Sequence, residues 1–297
     1  MKLCAILCLA LGLVGAIGFK AEGSAPRTVA SLRFDVTGPG GATQKALGVW
    51  PIPVAPGEKL PVVIALHGKA ESELGAERGY AAWIERYALR RAYDAMLAGA
   101  LGESFFGAGM VRPAELAALN HGLRVHPFGG VIVVCVYTPQ FSPGPAGAAE
   151  LDRFATWIAR ELVPQVHRTF PFASTSPRHI GIDGVSLGGA LALEVGLRFP
   201  DVFGSVGAIQ PAIDGREVEL AELAQRARHR PQRIRLLSSD DDPYLAATRN
   251  LSRSLRARRI AHDLVVTPGA HDYAFNRGSG AIGLLRFHDL ALRRVTQ

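Results

Sequence analysis

The 297-residue chain is poor in cysteine: it has three, and two of them, Cys4 and Cys8, fall in an apolar N-terminal stretch. If that stretch is removed, one thiol remains and no internal disulfide can form. That thiol, Cys135, sits in the apolar run 131–136 and reads as a small core residue. Beyond residue 19 no second long apolar stretch exists, so no further membrane span is expected. The histidines and acids lack any H-E-x-x-H-like ligand spacing, and no dinucleotide fingerprint or phosphate-binding glycine loop appears. Neither a metal nor a cofactor is therefore expected. Acidic residues are the minority, 26 against 33 lysines and arginines, for a formal charge of +7. The surplus is mostly arginine, clustered at 226–230 and 253–259 in segments of helical periodicity. Solvated helix faces account for such clusters. Nucleic-acid binding would need a basic stripe joined to a recognition motif, and none is visible. Internal repeats and low-complexity tracts are also missing.

What is present begins with Lys2, followed by an apolar segment over 3–19. A short positive region ahead of an apolar one is the layout of a secretory signal. Gly15, Ala16, Gly18 and Ala25 are small residues where cleavage could fall. Residues 1–25 thus read as a signal peptide, which predicts a secreted or periplasmic protein. The alternative is an uncleaved anchor tethering the chain to a membrane through residues 3–19. Residues 26–297, in a chain 48% hydrophobic and 20% charged, suffice for one large core and read as a single domain.

Along that domain, 29–36 and 46–54 suggest two opening strands. The continuous apolar runs 62–66 and 130–137 suit strands buried on both faces. Leu151, Phe154, Ile158, Leu162 and Val166 mark a helix over 150–166. Further strands are expected at 179–183, 202–209, 234–238 and 262–267, with helices at 216–228, 244–258 and 281–295. Strands alternating with helices predict an α/β fold with a mostly parallel central sheet and helices on both faces. Between the third strand and the run at residue 130 lies a long helical insertion, 70–128, with helices expected over 80–97 and 113–119. With its aromatic residues Trp83, Tyr87, Phe105, Phe106 and Phe128, the insertion could form a lid or a pocket wall, or be a docked helical decoration.

Ligands of such sheets bind beyond the carboxyl ends of the strands. Gly68-Lys69, Ser186, Gln210, Asp240 to Asp242 and His271 all fall there. Gly184-Val185-Ser186-Leu187-Gly188-Gly189 stands between a short strand and a helix-like segment, the setting of a nucleophile elbow. Side chains at Gly184 and Gly188 would collide with the neighbouring strand and helix, and the Leu187 amide would open a helix where negative charge is favoured. A serine hydroxyl needs a base. His271, after the last strand, is the candidate, with Pro268-Gly269 marking a loop. The base needs an acid, and Asp240, Asp241 and Asp242 follow the penultimate strand. Ser, Asp and His then occur in chain order, each just past a strand.

These residues give the chain a resemblance to the α/β-hydrolases. It is most similar to the serine esterase branch with feruloyl esterases and enterochelin-esterase-like proteins. The resemblance runs from about residue 30 to the end. Its carriers are Leu66-His67-Gly68, the elbow, Phe199-Pro200-Asp201-Val202-Phe203-Gly204, Asp242-Pro243 and Gly269-Ala270-His271-Asp272. It implies a Ser186–His271–Asp242 triad and oxyanion donors at the amides of Leu187 and Lys69, with His67 bracing its loop. Lys69 departs from the small residue common there. Trp83 and Gln210 are the expected substrate contacts. The function implied is that of an exported serine hydrolase cleaving a carboxylic ester, of a small molecule or linked to a polymer, through an acyl-enzyme. Acyl transfer or peptide cleavage by the same triad, and a non-catalytic binding protein, are the alternatives. Oligomeric state and the acyl and alcohol groups have no sequence signature.

Overall fold

A computed structural model describes residues 27–293, so the signal or anchor expected over 1–25 lies outside the described residues. Eight strands form one sheet: β1 (Thr28–Thr37), β2 (Thr43–Ile52), β3 (Val62–Leu66), β4 (Ile132–Val136), β5 (Ile180–Gly184), β6 (Ser205–Ile209), β7 (Arg233–Asp241) and β8 (Asp263–Ala270). Their spatial order is β1-β2-β4-β3-β5-β6-β7-β8. The pairs β1–β2 and β2–β4 are antiparallel, and every later pair is parallel.

The short runs β3 to β6 are buried at every position, as strands covered on both faces must be. Alternate residues serve opposite cores. Val62, Ile64 and Leu66 enter one with Phe154, Leu193 and Leu251. Val63 and Ala65 enter the other with Tyr93, Met96 and Leu285. The first face carries helices Pro145–Trp157, Leu187–Arg198, Glu217–Arg226 and Leu245–Ala257, and the second carries Leu89–Ala98 and Ala281–Arg293. Among the described residues no helix is long and apolar enough to cross a membrane.

Three local readings need correction. The helix expected over 80–97 is broken: one turn, Ala82–Glu85, ends before Ala88, which takes φ +52°, and a new helix runs Leu89–Ala98. The break lets Tyr87 turn inward, where it is 1% exposed. The helix expected over 113–119 continues to Val125. Pro268 and Gly269 are not loop residues but the end of β8. Among the described residues the outer edge of β8 has no neighbouring strand, so proline's missing N–H costs the ladder nothing there.

Candidate active site

Strand β5 ends at Gly184, and the chain reverses into the helix Leu187–Arg198 through Val185 and Ser186. Ser186 has φ +56°, a left-handed conformation that a non-glycine residue adopts only when its surroundings enforce it. They do. Its amide donates to the Ile209 carbonyl at 2.9 Å, and the Val185 amide to Leu66 at 3.2 Å. A Cβ on Gly188 would lie 2.5 Å from the carbonyl oxygens of Leu66 and His67, and one on Gly184 2.3 Å from the Gly188 oxygen. Both glycines are dictated by this close packing, as their sequence positions predict.

Ser186 Oγ is 3.0 Å from His271 Nε2, and His271 Nδ1 is 2.9 Å from Asp242 Oδ1. A carboxylate can only accept, so Nδ1 carries the proton and the Nε2 lone pair faces the serine. The Asp242 side chain is shut off from solvent. Its Oδ1 also accepts the Tyr244 amide at 3.1 Å, and its Oδ2 accepts Ser238 Oγ. The neighbouring acids do other things. Asp240 accepts the Gly269 amide at 3.0 Å and lies 3.5 Å from Arg112, while the exposed Asp241 pairs with Ala270 through its backbone.

Facing the elbow is the loop after β3. Lys69 opens the helical turn Lys69–Ser72 and Leu187 opens the elbow helix, so each amide occupies a first-turn position with no partner inside its own helix. Behind them His67 is held at both nitrogens. Nδ1 donates to the Gly68 carbonyl at 2.9 Å, and Nε2 accepts the Thr138 amide at 2.9 Å. Burial pushes its pKa down to about 4, so the ring braces the loop as a neutral group.

Gly68, Lys69, Glu71, Tyr87, Ser186, His271, Tyr273 and Asn276 line a cavity of about 480 Å³ above the strand ends. Two expected contacts are absent from its wall. Trp83 is 1% exposed and packs edge-on behind Tyr87, with ring centroids 5.1 Å apart, so it supports the wall without forming it. Gln210 is fully buried. Its Nε2 donates to Ser239 Oγ at 2.6 Å and to the Ala270 carbonyl at 2.9 Å. Both side chains are buried behind the wall: Trp83 packs on Tyr87, and the Gln210 amide nitrogen is engaged internally, while its Oε1 and the Trp83 indole N–H are buried without a hydrogen-bond partner among the described residues. Conversely, sequence reasoning passed over Glu71 and Tyr273, while Tyr87, one of the aromatic residues of the insertion, does line the cavity. The only signal was position: Glu71 and Tyr273 lie four and two residues beyond His67 and His271.

A second Ser–His–Asp chain lies deeper. Ser205 Oγ is 2.7 Å from His288 Nδ1, and His288 Nε2 is 3.0 Å from Asp183 Oδ2, which also pairs with Arg235. All three of its members are 0% exposed, and a Cβ on Gly181 would already meet His288 at 2.4 Å. No substrate can reach that serine.

Residues 136–275 match a family model described as Esterase, "Putative esterase". Among solved structures, the chain is similar to an S-formylglutathione hydrolase from Staphylococcus aureus at TM-score 0.62 and 10% identity, over 89% of this chain and 98% of that one. It is similar to the feruloyl esterase module from Clostridium thermocellum at TM-score 0.62 and 15% identity, over 91% and 90%. The ferulic acid esterase from Anaeromyces mucronatus, solved with ferulic acid, aligns at TM-score 0.57 and 18% identity, over 92% and 93%. A comparison with curated proteins finds no match.

Proposed function

We propose that this carboxylic ester hydrolase, an esterase of the α/β-hydrolase fold, works through Ser186, His271 and Asp242. The observation that carries the reading is the chain of contacts from Asp242 through His271 to Ser186, at 2.9 and 3.0 Å, opening into the cavity. Ser186 Oγ attacks the ester carbonyl while His271 Nε2 takes its proton. Negative charge gathers on the carbonyl oxygen, where the Leu187 and Lys69 amides can hold it. His271 returns the proton to the departing alcohol, leaving the acyl group on Ser186. Water, deprotonated by His271, then releases the acid. Asp242 keeps the imidazole in the productive tautomer and offsets its positive charge.

The substrate class is a carboxylic ester, of a small molecule or carried on a polymer. The feruloyl and ferulic acid esterases among the similar structures make aromatic acyl groups the first to try. The N-terminal pattern supports export, with residues 1–25 as a signal and an uncleaved tether through 3–19 as the alternative.

The test is turnover on a panel of esters varied in acyl length and aromaticity, with an organophosphonate label for the nucleophile. Ser186→Ala should stay folded, lose turnover by several orders of magnitude and escape labelling. A folded Ser186→Ala protein with near-full activity would overturn the mechanism. Sequencing the mature N-terminus tests export, which predicts a start between about residues 17 and 26.

A further inference from the structure

Glu71 is 2% exposed, and among the described residues no lysine or arginine forms a salt bridge with it. Two tyrosines occupy its oxygens instead. Tyr273 Oη donates to Oε1 at 2.6 Å, and Tyr87 Oη donates to Oε2. Tyr87 Oη in turn accepts the Gly68 amide at 3.0 Å. The two rings stand 6.0 Å apart in the cavity wall.

The chain positions give this arrangement its meaning. Tyr273 lies two residues past His271, and Gly68 directly precedes Lys69. One carboxylate thus joins the loop that carries the base to the loop that carries an oxyanion amide. It also fixes directions. A carboxylate only accepts, so both hydroxyl protons must point at it, which turns a Tyr87 lone pair toward Gly68. An amide at position 71 would accept at one end and donate at the other, and that order would be lost.

We propose that Glu71 is a positioning residue that sets the separation between His271 and the Lys69 amide, through Tyr273 on one side and Tyr87–Gly68 on the other. The proposal rests on the triad reading above. Because the oxyanion exists only in the transition state, a misplaced amide lowers kcat and leaves KM nearly unchanged.

The test is a cycle of kcat and KM on p-nitrophenyl acetate. It covers Tyr87→Phe, Tyr273→Phe and the pair, each made with Glu71 intact and with Glu71→Gln. With Glu71 intact, each single variant should lose about tenfold to a hundredfold in kcat. The pair should lose at least tenfold less than the product of the singles, because either cut already releases the carboxylate. With Glu71→Gln, the remaining effects should multiply. Should Glu71→Gln fail to fold, the tyrosine pair alone decides, since phenylalanine keeps ring and volume. Losses that multiply with Glu71 intact, or a folded Glu71→Gln protein with wild-type kcat, would overturn the proposal. Ser186→Ala is run alongside. If it is inactive while the tyrosine losses multiply, only the positioning role falls. If it retains turnover, the triad reading falls and takes the positioning role with it.

Discussion

Gln210 Nε2 hydrogen-bonds to the carbonyl of Ala270, the residue before His271, at 2.9 Å. Gln210 itself follows β6 at φ +44°, and its neighbour Ile209 accepts the Ser186 amide. The end of β6 thus holds Ser186 by its backbone and, through Ala270, the proposed base His271 by a side chain. Gln210→Leu keeps most of the volume but cuts the second tie. The expected result is a kcat about tenfold to a hundredfold lower with KM little changed. Steady-state kinetics on the folded variant checks it, and wild-type kcat would remove Gln210 from the positioning of His271.

Lys69 gives a cleaner separation of backbone from side chain. Proline is tolerated at the first position of a helix, and Gly68 already has the extended conformation that a following proline requires, φ −78° and ψ 179°. Lys69→Pro removes the amide donor alone. It should cost about a hundredfold to a thousandfold in kcat, whereas Lys69→Ala should remain close to wild type on a neutral ester. Equal activity of the two variants would mean that the oxyanion is held elsewhere.

The three consecutive acids should separate sharply. Asp242→Asn leaves His271 free to take the wrong tautomer, a change worth about four orders of magnitude in a well-studied protease triad. Asp240→Asn removes the charge facing Arg112 and leaves an oxygen to accept the Gly269 amide, so it should cost much less. Asp241→Asn should be near neutral. Turnover of the three folded variants decides, and full activity of Asp242→Asn would require a different acid.

Acid should destabilise the fold through His67. Its folded pKa is depressed to about 4 from 6.5. Between those values the unfolded chain binds a proton that the folded chain does not, so stability rises with pH across the window and is lost as pH falls through it. The full shift corresponds to about 3 kcal/mol. Burial depresses His288 as well and adds in the same direction. Urea unfolding at pH 7 and pH 4.5 should show a drop in stability that is smaller by about 2 kcal/mol in His67→Asn. An equal drop in both proteins would assign the acid sensitivity to other groups.

The sheet and the elbow were legible because they are local patterns. Runs such as 62–66 and 132–136 are apolar without interruption, and the two elbow glycines stand in a short motif around Ser186, although the contact that demands Gly188 comes from the distant carbonyls of Leu66 and His67. Ser186, Asp242 and His271 could be ordered because each follows a strand, although β7 runs on through Asp240 and Asp241, which the sequence placed after it. The cavity wall was legible only in part, through Tyr87 of the insertion. Glu71 meets Tyr87 across 16 residues and Tyr273 across 202, and neither spacing leaves a mark in the sequence. Trp83 and Gln210 have the chemistry of ligand contacts, and only packing shows that both are buried away from the cavity. The break at Ala88 was hidden because Ala88 and Leu89 are good helix formers, and the burial of Tyr87 overrode them.

Two serine–histidine–aspartate chains in one molecule limit what contact distance alone can diagnose. Ser205–His288–Asp183 and Ser186–His271–Asp242 have nearly the same spacings, 2.7 and 3.0 Å against 3.0 and 2.9 Å. The enclosed one acts as a rivet: it ties β5, β6 and the closing helix Ala281–Arg293 together beneath the elbow. The other stands at a rim with vacant space on one side. Identical side-chain chemistry becomes masonry or machinery according to whether a carbonyl carbon can approach the oxygen. A search of protein interiors for this trio must therefore ask about access before it asks about angles.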